Sequence, residues 1–303
     1  MNQSKVFIVI LQYNNSQDTI RCLNSVKELD YQNYETIIVD NGSDVNAIDE
    51  VRNWIEKTGN TSSATCYFLL TTSYNSGYSG GNNLGIKHAL EHGADYVLIL
   101  NPDTTIRKDA LSKLVEATES DQQIGIAGPA INEGNQIIYG GKIGWLKPEL
   151  SHLVVELLSA LSSSTTKYVV GACMLIKREV LEKIGLFDER YFLYFEDADY
   201  CLRAQKAGYK LKIVPEELIH HKQSSSTSSL GAPILLHYHY RNAHLFNCKN
   251  GPFWVKFSLP FWSFFIIIKQ LTKIILRHNV EISKAILAGV LDFYKGRFGK
   301  INA

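Results

Sequence analysis

Val97-Leu98-Ile99-Leu100-Asn101-Pro102-Asp103 is a run of four apolar residues that breaks into a turn. A short apolar run bounded in this way reads as a strand buried on both faces. Pro102 has no N–H to give a ladder, so the strand ends before it. Asp103 then stands at the strand's carboxyl end, the edge at which open α/β sheets bind ligands. A carboxylate there can hold a divalent metal against a diphosphate. On its own, an aspartate so placed is more often a simple turn residue. Three further stretches point to the same edge.

Upstream, residues 5–11 read as a first buried strand, followed by the polar turn Gln12-Tyr13-Asn14-Asn15. Ile20, Leu23, Val26 and Leu29 share one helical face. Residues 35–39 form a second strand that runs into Asp40-Asn41-Gly42-Ser43-Asp44. A helix over 48–54 and a weaker strand over 67–70 follow. A glycine-rich segment spans 75–85, and 86–91 continue as helix. Downstream, the pattern predicts a helix over 109–119, a strand over 124–130 and a hairpin arm over 136–142. Residues 146–164 show no pattern and read as a variable loop or short helix. Residues 168–177 read as a strand, with Gly171 and Ala172 marking a close backbone approach. A late strand over 211–214 is closed by Pro215. The alternation predicts a doubly wound, mostly parallel α/β sheet flanked by helices. From Ile234 the chain turns apolar, aromatic and helical, which places a soft boundary near residue 230 and divides the chain into 1–230 and 231–303.

The 303 residues are 45% hydrophobic and 20% charged, enough for one large core with a smaller appendage. A formal net charge of +1 gives no global field for nucleic acid. Five cysteines, odd in number and without C-x-x-C spacing, read as reduced thiols of a cytoplasmic protein. The apolar run over 6–11 is short for a signal peptide and lacks a small-residue cleavage site. The serine-rich stretches 162–164 and 224–229 read as loops.

The chemistry concentrates in four places. Asp40, at the end of the second strand, can accept from a base N–H or a ribose hydroxyl. An Asx turn explains it about as well. In 75–85, Gly77, Gly80, Gly81 and Gly85 permit close ligand approach. Asn75, Asn82 and Asn83 add hydrogen-bonding groups at a helix start, which favours anions. The spacing is not G-x-G-x-x-G, and the segment follows the third strand, which argues against a dehydrogenase. Glu196-Asp197-Ala198-Asp199 follows four apolar and aromatic residues, so burial and like charge would raise a carboxyl pKa toward that of a base. Acids at a helix N-terminus, with Arg203 four residues after Asp199, are the plainer explanation. His220-His221-Lys222 follows the last strand and offers an imidazole ligand.

Together these segments resemble a family 2 glycosyltransferase of the inverting GT-A class, close to the rhamnosyltransferase-like enzymes of bacterial surface polysaccharide synthesis. The pieces that carry the resemblance are Leu11-Gln12-Tyr13-Asn14, Val39 to Asp44, Asn75 to Gly85, Leu100 to Asp103, Gly171 to Arg178, Gly185-x-Phe187-Asp188, Phe195 to Arg203, His221-Lys222 and Tyr240-Arg241-Asn242. The resemblance implies nucleotide contacts from Tyr13, Asn14, Asp40, Asn75, Gly77, Gly81, Asn82 and Asn101. It implies a divalent metal, manganese or magnesium, on Asp103 and His221, with His221 preferred over His220 because Lys222 completes the family-like pair. Asp197 is implied as the general base, with Glu196 and Asp199 as supports, and Arg203 orients a loop or a phosphate. Gly171 and Ala172 leave room for the donor sugar. The implied reaction moves a rhamnose-like sugar from a UDP- or dTDP-sugar to a hydroxyl of a glycan or lipid-linked glycan.

Two other classes compete. A sugar nucleotidyltransferase would carry a glycine-, arginine- and lysine-rich loop after the first strand, and residues 12–16 lack one. A non-catalytic sugar-binding module would have been free to lose Asp103 or Asp197. Residues 253–276 are aromatic and flanked by lysines, but the uncharged run from Phe257 to Ile268 is only 12 residues and contains Pro260. A spanning helix needs ~20. The stretch therefore reads as a segment lying on the inner membrane face, ahead of a buried helix or a dimer contact.

Overall fold

The computed structural model describes residues 3–59, 66–145, 149–154, 166–222 and 231–301. Its centre is β1 (Val6–Gln12), which pairs in parallel with β2 (Tyr34–Asp40) on one side and β4 (Tyr96–Leu100) on the other. Ile10 opposes Ile38 on one edge and Leu100 on the other. The sheet runs β3 (Tyr67–Thr71), β2, β1, β4, β9 (Cys173–Lys177), β6 (Ile124–Asn132), β10 (Lys210–His221), β5 (Thr104–Ile106). The four strands from β3 to β4 are all parallel, while β9 runs antiparallel to both β4 and β6.

Alternation along each strand divides its side chains between two cores. Ile8, Ile10, Leu98 and Leu100 face α1 (Ser16–Val26) and α4 (Ala110–Glu119) through Cys22, Leu23, Leu111 and Leu114. Phe7, Val9, Val97 and Ile99 join a second core with α3 (Gly77–Glu91), α6 (Glu196–Lys206) and α7 (Gly231–Asn250), including Ile86, Ala198 and Phe246. This two-sided burial is why the strands read as continuous apolar runs.

Several elements differ from expectation. The helix expected over 86–91 starts nine residues earlier, because α3 begins at Gly77 and runs through the glycine-rich segment. A Cβ at Gly81 would sit 2.2 Å from Leu11 Cδ1, and one at Gly85 would sit 2.4 Å from Val9 Cγ1. These glycines seat the helix against β1. Tyr168 lies outside β9, in an isolated bridge to Gly141, and Gly171 and Ala172 form the turn before the strand. Strand β10 runs on past Pro215 to His221, with register shifts between Val214 and Glu217 that absorb the missing donor. The expected arm is β7 (Ile137–Gly144), and it pairs with β6 and with β8 (Glu149–Val154), which lies in the stretch that shows no pattern in sequence. The stretches 162–164 and 224–229 lie outside the described residues.

Helices α7, α8 (Phe253–Ile275) and α9 (Val280–Tyr294) pack together beside the sheet. Helix α8 continues through Pro260, and its 23 residues are long and apolar enough to cross a bilayer by length and composition. Its inner face is Val255, Leu259, Ser263, Ile266 and Gln270. Ser263 Oγ lies 3.1 Å from His244 Nε2 and 2.8 Å from Tyr294 Oη, which ties all three helices together.

The seat of α3 is testable. Gly85→Val would push a branched side chain into Val9 and Val39, which are stiff at χ1. The expected loss is roughly 1–3 kcal/mol of unfolding free energy in urea, the range for overpacked cores. An unchanged midpoint would show that the helix does not rest on these valines.

Candidate active site

Strands β2 and β3 lie to one side of β1, and β4 lies to the other. The strand order therefore reverses at β1, and the carboxyl ends of β1 and β4 lie side by side at a switch point of the kind where open α/β sheets bind ligands. A cavity of about 330 Å³ lies there. Its walls include Tyr13 after β1, Asn101 and Asp103 after β4, and Asn75, Gly77 and Tyr78 at the start of α3.

Asp103 meets His221 because β5, which starts one residue later, pairs antiparallel with the end of β10, with Thr104 opposite His221. The Lys222 N–H donates to the Asp103 carbonyl (3.0 Å) and locks that register. Nε2 of His221 faces Asp103 Oδ1 at 3.3 Å, and its Nδ1 faces Glu133 Oε1 at 3.1 Å. Burial pulls the imidazole pKa down, but the contacts with Asp103 and Glu133 outweigh it and leave the pKa raised. His220 pairs with Thr105 in the ladder instead. Two ligands on neighbouring positions of one ion lie roughly 3 Å apart when their bonds are about 2.1 Å long. Asp103 and His221 fit that requirement, and Glu133 supplies the second carboxylate that fixes a ligating ring. Among the described residues no closed cage of three such side chains forms, so an ion held here would complete its shell with substrate oxygens and water. Glu133 escapes sequence reading because nothing in its own neighbourhood marks it.

The predicted nucleotide contacts divide. Tyr13, Asn75, Gly77 and Asn101 line the cavity. Asp40 lies behind it, fully buried, accepting from the Ser43 N–H (3.0 Å) and from Gln12 Nε2 (3.1 Å). Its neighbour Asn41 faces the cavity instead. The Asn41 amide donates to Asn75 Oδ1 (3.1 Å) and to the Gly77 carbonyl (3.0 Å), and its oxygen accepts from Ser76 N (3.0 Å). Asn14 sits at φ +58° and accepts from the Asp44 N–H, clasping the loops after β1 and β2. Gly81 is in the helix–sheet seam, and Asn82 is buried with its amide on the Tyr78 carbonyl (3.0 Å), so neither reaches the cavity.

Asp197 stands behind Tyr78. The Tyr78 hydroxyl donates to the Gly171 carbonyl (2.7 Å), and Gly171 N donates to Asp197 Oδ2 (3.1 Å). A Cβ at Gly171 would lie 2.8 Å from the Tyr78 oxygen, so only glycine fits this relay. Ala172 carries the turn on, with its carbonyl accepting from Asn101 N (3.0 Å). The other Asp197 oxygen accepts from Ala198 N (2.7 Å). Burial raises the Asp197 pKa, and the two N–H donors oppose that rise. Glu196 is buried, its Oε2 has no partner among the described residues, and burial and then the Asp197 charge push its pKa well up. Of the two, Asp197 is the less buried, and both of its oxygens are held by N–H donors.

The chain enters these acids through two consecutive left-handed residues, Tyr194 (φ +72°) and Phe195 (φ +75°). Non-glycine residues hold such angles only where their surroundings enforce them. The enforcement comes from α7, where Asn242 Nδ2 donates to the carbonyls of Leu193 (2.7 Å) and Tyr194 (3.3 Å). Arg241, also buried, donates to Asn242 Oδ1 (3.1 Å). Asp199 is equally captured, by Arg203 (2.9 Å), Lys249 (2.8 Å) and Asn250 (2.6 Å). Arg203 spends its other nitrogens on the carbonyls of Ile184 and Leu186 (2.8 Å each). Asp199 and Arg203 thus brace the fold around α6.

An open crevice at a topological switch point, with Asp103 on its wall, the His221 imidazole against that carboxylate and a partly buried carboxylate behind Tyr78, defines a transferase-like site on an α/β nucleotide fold. The model for "Glycosyl transferase family 2" matches residues 7–185, and the chain belongs to that family. Over 258 residues it is 27% identical to the dTDP-rhamnosyl transferase RfbF of Shigella flexneri, which covers 82% of this chain and 81% of that protein. It is 27% identical over 213 residues to the N-acetylglucosaminyl-diphospho-decaprenol L-rhamnosyltransferase of Mycobacterium tuberculosis, covering 61% of this chain and 68% of that one. In fold it is similar to the mannosyltransferase PcManGT of Pyrobaculum calidifontis, solved with GDP-Man and Mn2+, at a TM-score of 0.60 and 14% identity, over 98% of this chain and 89% of that one. The chain is therefore a glycosyltransferase of GT-A fold with rhamnosyltransferase-like relatives in polysaccharide synthesis. The nucleotidyltransferase and binding-module alternatives fall away.

The brace is testable. Asn242→Ala would strand two carbonyls beside the left-handed pair, at a cost of about 1–3 kcal/mol for groups that lose their donor. We expect a lower urea midpoint and faster amide exchange over 192–197 than in the wild type. Unchanged exchange there would show that the loop holds its conformation without α7.

Proposed function

We propose that this protein is an inverting, metal-dependent transferase that moves a rhamnose-like sugar from a dTDP- or UDP-sugar to a hydroxyl of a glycan or lipid-linked glycan. The observation that carries the reading is the crevice at the ends of β1 and β4, with Asp103 on its wall, His221 Nε2 3.3 Å from Asp103 Oδ1, and Asp197 fixed behind Tyr78 and Gly171. The likeness to the Shigella dTDP-rhamnosyl transferase over four-fifths of both chains supports the donor class, and the decaprenol-linked substrate in the mycobacterial enzyme's name supports a lipid-linked acceptor.

In this reading, Asn41, Asn75 and Asn101 orient the nucleotide, while Asp103 and His221 hold a divalent ion. Such an ion acts as a Lewis acid on the departing diphosphate. Asp197 takes the proton from the acceptor hydroxyl as its oxygen attacks the anomeric carbon from the face opposite the diphosphate, which inverts that centre. Burial, by raising the Asp197 pKa, makes it a better proton acceptor than an exposed aspartate. Burial and then the Asp197 charge raise the Glu196 pKa well above the ordinary glutamate value, which disfavours a second charge beside Asp197.

We infer further that α8 rests on an anionic, cytoplasmic membrane face. Its outer face exposes Phe257, Phe261, Phe264, Phe265 and Ile268, and no acid occurs between Pro252 and Val280, whereas Lys256, Lys269, Lys273 and Arg277 do. The inner face is bound along its length to α7 and α9, which favours an in-plane helix over a spanning one. Trp262 is not an anchor in this arrangement, because it packs 5.7 Å from the His244 ring.

Asp197→Asn is expected to lower turnover at least ~10²-fold, the usual cost of removing a general base, while dTDP affinity stays within about threefold. The wild-type pH–rate profile should lose activity on acidification through an apparent pKa above the ordinary aspartate value of 3.8. Retained turnover in the variant would refute the assignment. For α8, the double variant Phe261→Gln/Phe264→Gln should lose co-sedimentation with phosphatidylglycerol vesicles and keep the wild-type melting temperature. Co-sedimentation equal to wild type would refute an in-plane contact.

A further inference from the structure

We propose that Lys300 binds the outer phosphate of the nucleoside diphosphate and helps it depart. The inference rests on the donor class proposed above. Past α9 the chain turns back over the crevice, and Lys300 and Ile301 form part of the cavity wall opposite the strand ends. Contacts on both sides of Lys300 place it there. Gly299 N donates to the Arg190 carbonyl (3.3 Å), and Ile301 N donates to the Tyr238 hydroxyl (3.0 Å). The Phe298 ring lies 5.9 Å from the Arg190 guanidinium and 6.0 Å from that of Arg241. Tyr238 itself stacks on Phe192 (5.1 Å, 10° between planes), the residue whose carbonyl receives the Tyr78 N–H. The segment is thereby built into the same framework that holds the strained turn before Asp197.

Charge is the reason to assign Lys300 a ligand. The other side chains on the cavity wall are neutral except for Asp103. Among the described residues no carboxylate forms an ion pair with Lys300. A sugar nucleotide carries two negative charges on its diphosphate. When the acceptor oxygen bonds to the anomeric carbon, the bond from that carbon to the diphosphate oxygen breaks with its electron pair, and the nucleoside diphosphate leaves with one charge more. An ammonium on the wall interacts more strongly with the leaving group than with the intact donor, which is the condition for accelerating the step and not only binding substrate.

The test uses calorimetric titration of the full chain with manganese present, taking dTDP, UDP and GDP as probes and the matching monophosphates as controls. For whichever diphosphate binds the wild type, Lys300→Ala should weaken binding on the order of tenfold, as expected of a charge-assisted hydrogen bond at a solvent-accessible site. The monophosphate should stay within about twofold, and Lys300→Arg should restore most of the loss because it keeps the charge. The melting temperature should not change, since Lys300 is exposed. Equal diphosphate affinity in the wild type and Lys300→Ala overturns the inference and leaves the proposed function standing. Equal losses for mono- and diphosphate overturn it too, because Lys300 would then not read the outer phosphate. A wild type that binds no nucleoside diphosphate overturns both.

Discussion

The pairing of β1 with parallel neighbours on both edges is the constraint on which the molecule depends. With β2 on one side and β4 on the other, the strand order reverses at β1, and the crevice lies at the side-by-side carboxyl ends of β1 and β4. Burial on both faces keeps β1 in place. Phe7 and Val9 are sealed in one core, and Ile8 and Ile10 in the other. A one-residue slip would exchange the two sets and misplace Tyr13 and Asp103 together.

The remaining parts of the site are held by long-range contacts. Thr104 opposite His221 brings an imidazole from a distant part of the chain against the Asp103 carboxylate. The left-handed pair Tyr194 and Phe195 turns α6 so that Asp197 meets Gly171, and this turn persists because Asn242 grips the preceding carbonyls. Helix α7 begins at Gly231, within the predicted C-terminal region, yet it braces the acids of α6. We therefore propose that residues 231–250 act as part of the catalytic unit, with α8 and α9 as the appended layer.

Much of this was legible in the sequence because buried strands have to be apolar runs. The strands around Asp103 and Asp40, the acid-rich start of α6 and the helical character of the C-terminal region follow from that rule and from helical period. Other features turn on partners that sequence does not show. Helical period shows only from residue 86, since the glycines and asparagines of 77–85 are poor helix formers, but packing on Val9 and Leu11 outweighs propensity. Tyr168 and Val169 are apolar because they fill the second core, and their burial mimics a strand. The parallel register of β6 with β10, Asn132 opposite His220, joins residues 88 positions apart, so the place of Glu133 beside His221 has no local signal. Asp40 and Asn41 are adjacent, and only the twist of the chain decides which one faces the cavity. Tyr240-Arg241-Asn242 stood out as a motif, but its contact with Leu193 is visible only once α7 is in place.

The central claim is that one ion and one nucleoside diphosphate share the crevice between β1 and β4. Anomalous diffraction from crystals grown with manganese and dTDP tests it most directly. The account predicts one manganese peak within bonding distance of Asp103 and His221, with the diphosphate on its open side. A nucleotide bound in the crevice with no manganese at those two side chains, or manganese bound only elsewhere, would contradict it.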